Sequence, residues 1–318
     1  ARLPAASLLL HHTMYWGAFT EAGPPTWPAN AMSLTLCVIE GKVPVRGSRV
    51  AYADGRAAAL APAAACVPVG NAAFGVDAIE ASALPPDALR ELLKGDDVKW
   101  VQCRALLGKG EPGEVDALAR AVSLLAWHKE NAFSGITGEP TELTNGGSRR
   151  KQPPSAGGRT MYPRVDPVAI CLVESYDGTK CLLGRQKAYP PHMWTCISGF
   201  VEHGESAEAA AAREVLEETS VRCGPATLVA SQPWPLGRGQ HCELMLGCVA
   251  KAVEGGEEID VTREQGGGEL EGARWFARAE VLEMVERMGG ESAWVPPAFA
   301  IAHHLIRRWA EGGLAARL

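Results

Sequence analysis

Apolar positions along this chain fall into two patterns. In the C-terminal half they alternate in short runs. "VAICLVE" (168–174), "KCLLGR" (180–185), "TLVASQPW" (227–234) and "ELMLGCVAKAV" (243–253) each read as a strand. Residues 206–219 read as a helix with Ser206 as its N-cap, and a last helix is expected from about Ala298 to Trp309. In the N-terminal half, "LTLCVI" (34–39) predicts a strand and "PPDALRELL" (85–93) a helix start. The spacing of Leu118, Val122 and Leu125 at i, i+4, i+7 predicts a helix over 114–130 with one core-facing stripe. Strands mixed with few helices point to layered α/β or α+β architecture. No internal repeat is visible.

Between the halves, residues 134–160 are dense in Gly, Ser, Thr and Pro and lack apolar periodicity. They read as a linker or an irregular subdomain. The expected division is therefore 1–133, 134–160 and 161–318, which suits a chain of 318 residues.

Composition narrows the class. Hydrophobic residues make up 47% and charged residues 21%, enough for packed cores. The formal net charge of -6 argues against nucleic-acid binding as the main function. Nine cysteines show no CxxC pair, and several sit in apolar runs, so buried free thiols are expected rather than a disulfide framework. No apolar stretch reaches the roughly 18 residues of a membrane span. The chain starts at Ala1 and its first acidic residue is Glu21, which fits a removed leader or a trimmed start. It ends Ala316-Arg317-Leu318, a variant of the peroxisomal Ser-Lys-Leu address.

The candidate chemistry lies in "REVLEETSV" (213–221). Glu214, Glu217 and Glu218 share one helical face, where like charges destabilise a helix. No lysine follows any of them at i+4. A solvated acidic face is the common explanation of such a cluster. A hard divalent cation, Mg2+ or Mn2+, is the alternative, because it takes oxygen ligands and recruits substrate phosphates. Upstream, "GFVEHGESAEAAAAREVLEETSV" (199–221) is a glycine-bearing loop that runs into an alanine-rich helix. The small alanines let that helix pack close against a sheet.

The spacing Gly199-x5-Glu205-x7-Arg213-Glu214-Val215-x-Glu217-Glu218 resembles the Nudix box, with Ser220 where the family has glycine. "SQPWP" (231–235), "YPRVDPVAI" (162–170), "ELEGARWF" (269–276) and "AIAHHLIRRW" (300–309) resemble the NADH diphosphatase branch of the Nudix hydrolases. So does "LLAWHKENAF" (124–133), near the end of that branch's N-terminal domain. The resemblance implies a C-terminal α/β/α sandwich with a mixed sheet, preceded by a smaller α+β domain. It implies Glu214, Glu217, Glu218, Glu269 and the Ser198 carbonyl as metal ligands, with Glu217 or Glu218 as base and Arg213 orienting the carboxylates. It places Tyr162, Phe200, Gln232, Trp234 and Ala302 at the dinucleotide, although each aromatic taken alone reads as core. The implied reaction splits NADH, or a related NAD(P)H or NAD+, into AMP and nicotinamide mononucleotide.

The sequence also departs from the family. Many members carry a zinc ribbon built from two CxxC pairs, and here Ser134 and Thr137 hold the first pair's places. Structural zinc is therefore not expected. The loop after "SQPWP" is longer than the family's, and Leu236 offers less stacking surface than an aromatic. The resemblance further implies a homodimer and, together with the start of the chain, a mitochondrion first; a plastid, or a peroxisome by the Ala-Arg-Leu end, is the alternative. Other readings are a hydrolase of another nucleoside diphosphate derivative such as NAD-capped RNA, a non-catalytic subunit of a large organellar assembly, or a nucleotide sensor.

Overall fold

In the computed structural model the described residues are 34–46, 49–54, 66–68, 76–94, 97–107, 112–235, 237, 241–262, 269–287 and 289–314. The first 33 residues, most of the alanine-rich run at 57–66, Leu236 and the Ala316-Arg317-Leu318 end lie outside them. The chain clusters into two units. One holds the described residues of 166–233 and 244–314; the other holds those of 34–165 and 234–243.

The second unit is built from short strands: β1 (Leu34–Val38), β2 (Lys42–Arg46), β3 (Arg49–Val50), β4 (Ala53–Asp54), β5 (Cys66–Pro68), β6 (Val76–Glu80) and β7 (Lys99–Gln102). They form a four-stranded sheet, β4-β1-β6-β5, and a three-stranded sheet, β3-β2-β7. Among the described residues two α-helices accompany them, α1 (Pro86–Leu92) and α2 (Pro112–Glu130). Alternation along β1 sorts its side chains. Leu36 and Val38 join Leu118, Val122 and Leu125 of α2, whereas Cys37 joins Leu92 and Leu93 at α1. The stripe on α2 thus does the packing its spacing predicts.

The Gly/Pro-rich segment is more than a linker. It folds as a three-stranded sheet, β10-β9-β8, from β8 (Glu142–Thr144), β9 (Arg149–Lys151) and β10 (Thr160–Met161). Polar pairs hold it, which is why no apolar periodicity announces it. Arg150 is buried and donates to both the hydroxyl and the carbonyl of Thr141. It also meets His128 Nδ1 at 3.2 Å, while His128 Nε2 lies 2.7 Å from the Gly147 carbonyl. Nε2 must carry the proton to bond a carbonyl, which leaves Nδ1 to accept from Arg150. Burial pushes the His128 pKa down, which keeps the ring in that neutral form. Ser134, in a place where the family has a zinc-binding cysteine, turns its hydroxyl on its own loop. Its Oγ accepts from the Ile136 and Thr137 amides at 3.2 and 3.4 Å.

The other unit is a three-layer sandwich. Its strands are β11 (Val165–Glu174), β12 (Lys180–Gln186), β13 (Ile197–Phe200), β14 (Thr227–Trp234), β15 (Cys242–Lys251) and β16 (Leu270–Ala277). The sheet order is β14-β15-β11-β12-β16, with β13 paired to β11. Its helices are α3 (Ala207–Thr219), α4 (Arg278–Val285) and α5 (Ile301–Ala310). Strand alternation sets the layers. Ala169, Cys171, Val173 and Leu182 point to Ala210, Ala211 and Val215 of α3. Ile170, Leu172, Cys181 and Leu183 point to Val281, Met284, Leu305 and Trp309 of α4 and α5. Burying Val215 alone is worth about 1.5–3 kcal/mol.

The eight cysteines with described side chains, Cys66 not among them, are free thiols, and burial pushes the pKa values of Cys37, Cys171 and Cys181 up. Among the described residues no helix is long and apolar enough to cross a membrane.

Candidate active site

The site is built where β13 passes under α3. Ser206 caps α3, its hydroxyl accepting from the Ala209 amide at 3.2 Å. Ala210 and Ala211 bring the helix close to the sheet, and Arg213, Glu214 and Glu217 follow on a partly exposed face.

Arg213 organises this face. Its guanidinium grips Glu205 bidentately, Nε to Oε1 at 2.8 Å and Nη2 to Oε2 at 2.9 Å. Its Nη1 donates to Glu214 at 2.8 Å and to Glu217 at 3.0 Å, and Nη2 also reaches the Phe200 carbonyl at 2.8 Å. Three carboxylates and the end of β13 thus share one cation. This compensates the acidic row from the i−4 side of Glu217, where the missing lysine drew attention to the other side. Glu205 additionally accepts from the Glu202 amide at 3.1 Å, which closes the loop before the helix. The Arg213 hydrogen bonds hold the Glu205 pKa below the usual carboxylate range, so its charge is lost only as pH falls through that depressed value. Burial pushes the Glu214 carboxyl the other way. Arg213 opposes that shift, and the charges of Glu217 and Glu269 add to it.

Gly199 lies beneath. A Cβ built there would fall 1.9 Å from Glu214 Cδ and about as close to both carboxylate oxygens. No positive φ is involved; the requirement is space. The glycine of the motif is the gap into which Glu214 folds.

Glu218 is 8% exposed, so of the row it turns furthest into the protein. Glu269 is exposed at the start of β16, next to a bulge. The pairing steps from Arg185↔Gly272 to Gln186↔Leu270, leaving Glu271 extra, and Arg185 Nε takes the Glu271 carboxylate at 2.7 Å. No sequence signal marks that bulge. Ser198 pairs with Ile170 on β11, one residue before Gly199. Among the described residues no three acidic, histidine or cysteine side chains stand ready-gathered around one point. Glu214 and Glu217 are turned to Arg213 instead. The donor set is nonetheless all oxygen, the chemistry that suits a hard divalent cation.

The residues expected at the substrate divide. Phe200 is 37% exposed and Tyr162 63%, so neither is core; the Arg149 guanidinium lies 4.7 Å from the Tyr162 ring centroid. Trp234 ends β14 and is half-buried. Ala302 is buried in the first turn of α5. Gln232 departs from expectation. It is 2% exposed, and both ends of its amide bond the backbone at 299–301 rather than facing outward.

Ser220 ends α3 in the left-handed conformation, φ 63° and ψ 0°, where the family's glycine sits without strain. Its hydroxyl donates to the Asp260 carbonyl at 3.0 Å. The left-handed backbone costs about 1–2 kcal/mol and the hydrogen bond returns about 0.5–1.5 kcal/mol. Ser220→Gly is therefore expected to leave the urea midpoint nearly unchanged. Ser220→Ala, which keeps the strain and loses the bond, is expected to lose about 1 kcal/mol; equal midpoints for both variants would refute this balance.

Comparison with known proteins bears on this geometry. A family model described as the NUDIX domain matches residues 164–295, the span of sheet, α3 and site. The chain carries a Nudix domain. Over 202 residues it is 46% identical to the human protein named NAD-capped RNA hydrolase NUDT12, covering 62% of this chain and 42% of that protein. It is 36% identical over 241 residues to human NAD(P)H pyrophosphatase NUDT13, mitochondrial, covering 73% and 64%. It is 36% identical over 257 residues to Nudix hydrolase 19, chloroplastic, of Arabidopsis thaliana, covering 70% and 56%. The chain thus spans about half the length of the curated relatives it matches. These relatives support a place in the NADH diphosphatase branch of the Nudix hydrolases. Nudix hydrolases generally use divalent metals such as Mg2+ or Mn2+.

Proposed function

We propose that this chain hydrolyses the pyrophosphate bond of NADH-like dinucleotides in a metal-dependent reaction. The observation that carries the reading is the Arg213 clamp on Glu205, Glu214 and Glu217 over the gap left by Gly199. Glu214, Glu217, Glu218 and Glu269, with the Ser198 carbonyl, would hold Mg2+ or Mn2+. When bound, the metal neutralises pyrophosphate charge and acidifies a water. Arg213 holds two of these carboxylates in place and does not react. Glu217 or Glu218 takes the proton of the attacking water, and one P–O bond of the anhydride breaks to give AMP and reduced nicotinamide mononucleotide. Phe200, exposed at the end of β13, offers a ring face to the dinucleotide. Ala302 completes the proposed binding set on this unit.

The protein named NAD-capped RNA hydrolase, 46% identical over the shared region, supports a second substrate, the NAD cap of RNA. A cap needs little footprint, which accommodates the net charge of -6. Relatives named mitochondrial and chloroplastic support an organellar location, and the family resemblance alone supports a homodimer.

Purified chain with Mg2+ or Mn2+ is expected to convert NADH to the two mononucleotides. Absence of turnover of both NADH and an NAD-capped oligonucleotide would overturn the enzyme reading in favour of a sensor or a structural subunit.

A further inference from the structure

Gln232 sits on β14, within the segment that resembles the branch's specificity array, yet its side chain is sealed in the interior. Its Nε2 donates to the Phe299 carbonyl at 2.7 Å, and its Oε1 accepts from the Ile301 amide at 2.7 Å. Both ends of the amide are committed to one turn of backbone. That turn opens α5, whose N-cap, Ala300, makes no side-chain cap bond of its own. The Ile301 amide is one of the donors a helix start leaves without a partner, and Gln232 satisfies it from 69 residues away.

A second, independent feature acts on the same turn. Gly247 lies on β15, the strand beside β14. A Cβ there would fall 2.8 Å from Ile301 Cδ1 and 3.4 Å from the Ala230 carbonyl. Ile301 therefore seats itself in space that only a glycine leaves. One strand grips the turn with a polar clamp, and its neighbour admits the turn's side chain.

We propose that Gln232 is a positioning residue for the dinucleotide site. It fixes the first turn of α5, and with it Ala302, and does not touch substrate itself. The proposal rests on the reading above that Ala302 borders the substrate. Glutamine suits the task because it presents one donor and one acceptor on one planar group. Leucine offers neither, and an ionised glutamate would set a second acceptor against the Phe299 carbonyl. Protonated glutamate is the near-isostere, able to accept from Ile301 and donate to Phe299. Burial would favour that neutral form.

The test compares NADH kinetics of the intact chain with Gln232→Leu, Gln232→Glu and Gly247→Ala. Gln232→Leu is expected to raise KM about tenfold with kcat changed less than about threefold, within the 10²-fold that a 1 Å misplacement can cost. Gly247→Ala, which pushes the same turn without touching Gln232, is expected to raise KM in the same way. Gln232→Glu is expected to match the parent KM at low pH and to rise as its carboxyl ionises, a pH dependence the parent lacks. A raised KM in Gln232→Leu with a parental KM in Gly247→Ala would overturn the proposal in favour of direct contact. Parental KM in all variants would overturn it outright. Amide exchange at Ile301 reads the clamp apart from catalysis. Faster exchange in Gln232→Leu supports the clamp even if NADH is not turned over, a result that would fail the functional reading alone; unchanged exchange overturns the clamp.

Discussion

Replacing Gly199 with alanine is expected to cut dinucleotide turnover by about 10²-fold while leaving the domain folded. The new Cβ would stand 1.9 Å from Glu214 Cδ, well inside ordinary contact distance, so something must move. The carboxylate is the mobile partner, and it must retreat by more than about 1 Å. Glu214 would then lose both its place in the ligand row and its 2.8 Å bond from Arg213. The backbone has less reason to change. Gly199 pairs in register with Ala169, its φ is not in the left-handed region, and alanine is tolerated on a strand. The melting temperature is expected to stay within about 5 °C of the parent. A folded Gly199→Ala with parental kcat would show that the Glu214 position is immaterial.

Arg213→Met is expected to act on stability and activity together. The substitution removes five hydrogen bonds, four of them to carboxylates. It leaves Glu205, Glu214 and Glu217 facing one another with no cation between them. The site is partly solvated, with the Arg213 side chain 23% exposed, so the loss falls below that of a fully buried pair, to about 2–3 kcal/mol. Turnover is expected to drop about 10–100-fold, the usual effect of losing a group that orients ligands. Arg213→Lys keeps the charge but cannot reproduce the fork, and is expected to recover only part of either loss. Added Mg2+ should raise the melting temperature of Arg213→Met more than that of the parent, because a divalent cation relieves the same repulsion. An equal Mg2+ response would argue that the glutamates do not share a metal.

Much of this site was readable because its chemistry is local. Glu214 and Glu217 reach one guanidinium through helical spacing, Ser206 caps in the place its type suggests, and Gly199 and Arg213 sit at fixed offsets. Along β11 and β12 alternation alone assigns side chains to the two helical layers. What stayed hidden depends on contacts distant in sequence. The last helix begins at Ile301 and not near Ala298, because Ala300 closes a turn onto Pro297 and Gln232 satisfies the Ile301 amide. The 134–160 sheet is held by Arg150, His128 and Thr141, polar groups that leave no apolar period to read. The short strands β2 to β7 pair across loops, and the bulge at Glu271 is a property of the pairing of two strands. Gln232 shows the same limit within the motif itself: a polar residue in a specificity segment reads as a substrate contact, and its burial shows only in three dimensions.

The role of the glutamate row is tested most directly by NADH hydrolysis at saturating Mn2+, parent beside Glu218→Gln. The substitution keeps the side chain's shape and removes its charge and its basicity. The parent is expected to release AMP and reduced nicotinamide mononucleotide, with activity abolished by chelator, and Glu218→Gln to be slower by about 10²–10⁴-fold. Equal turnover by the two proteins would contradict a metal-dependent site on α3.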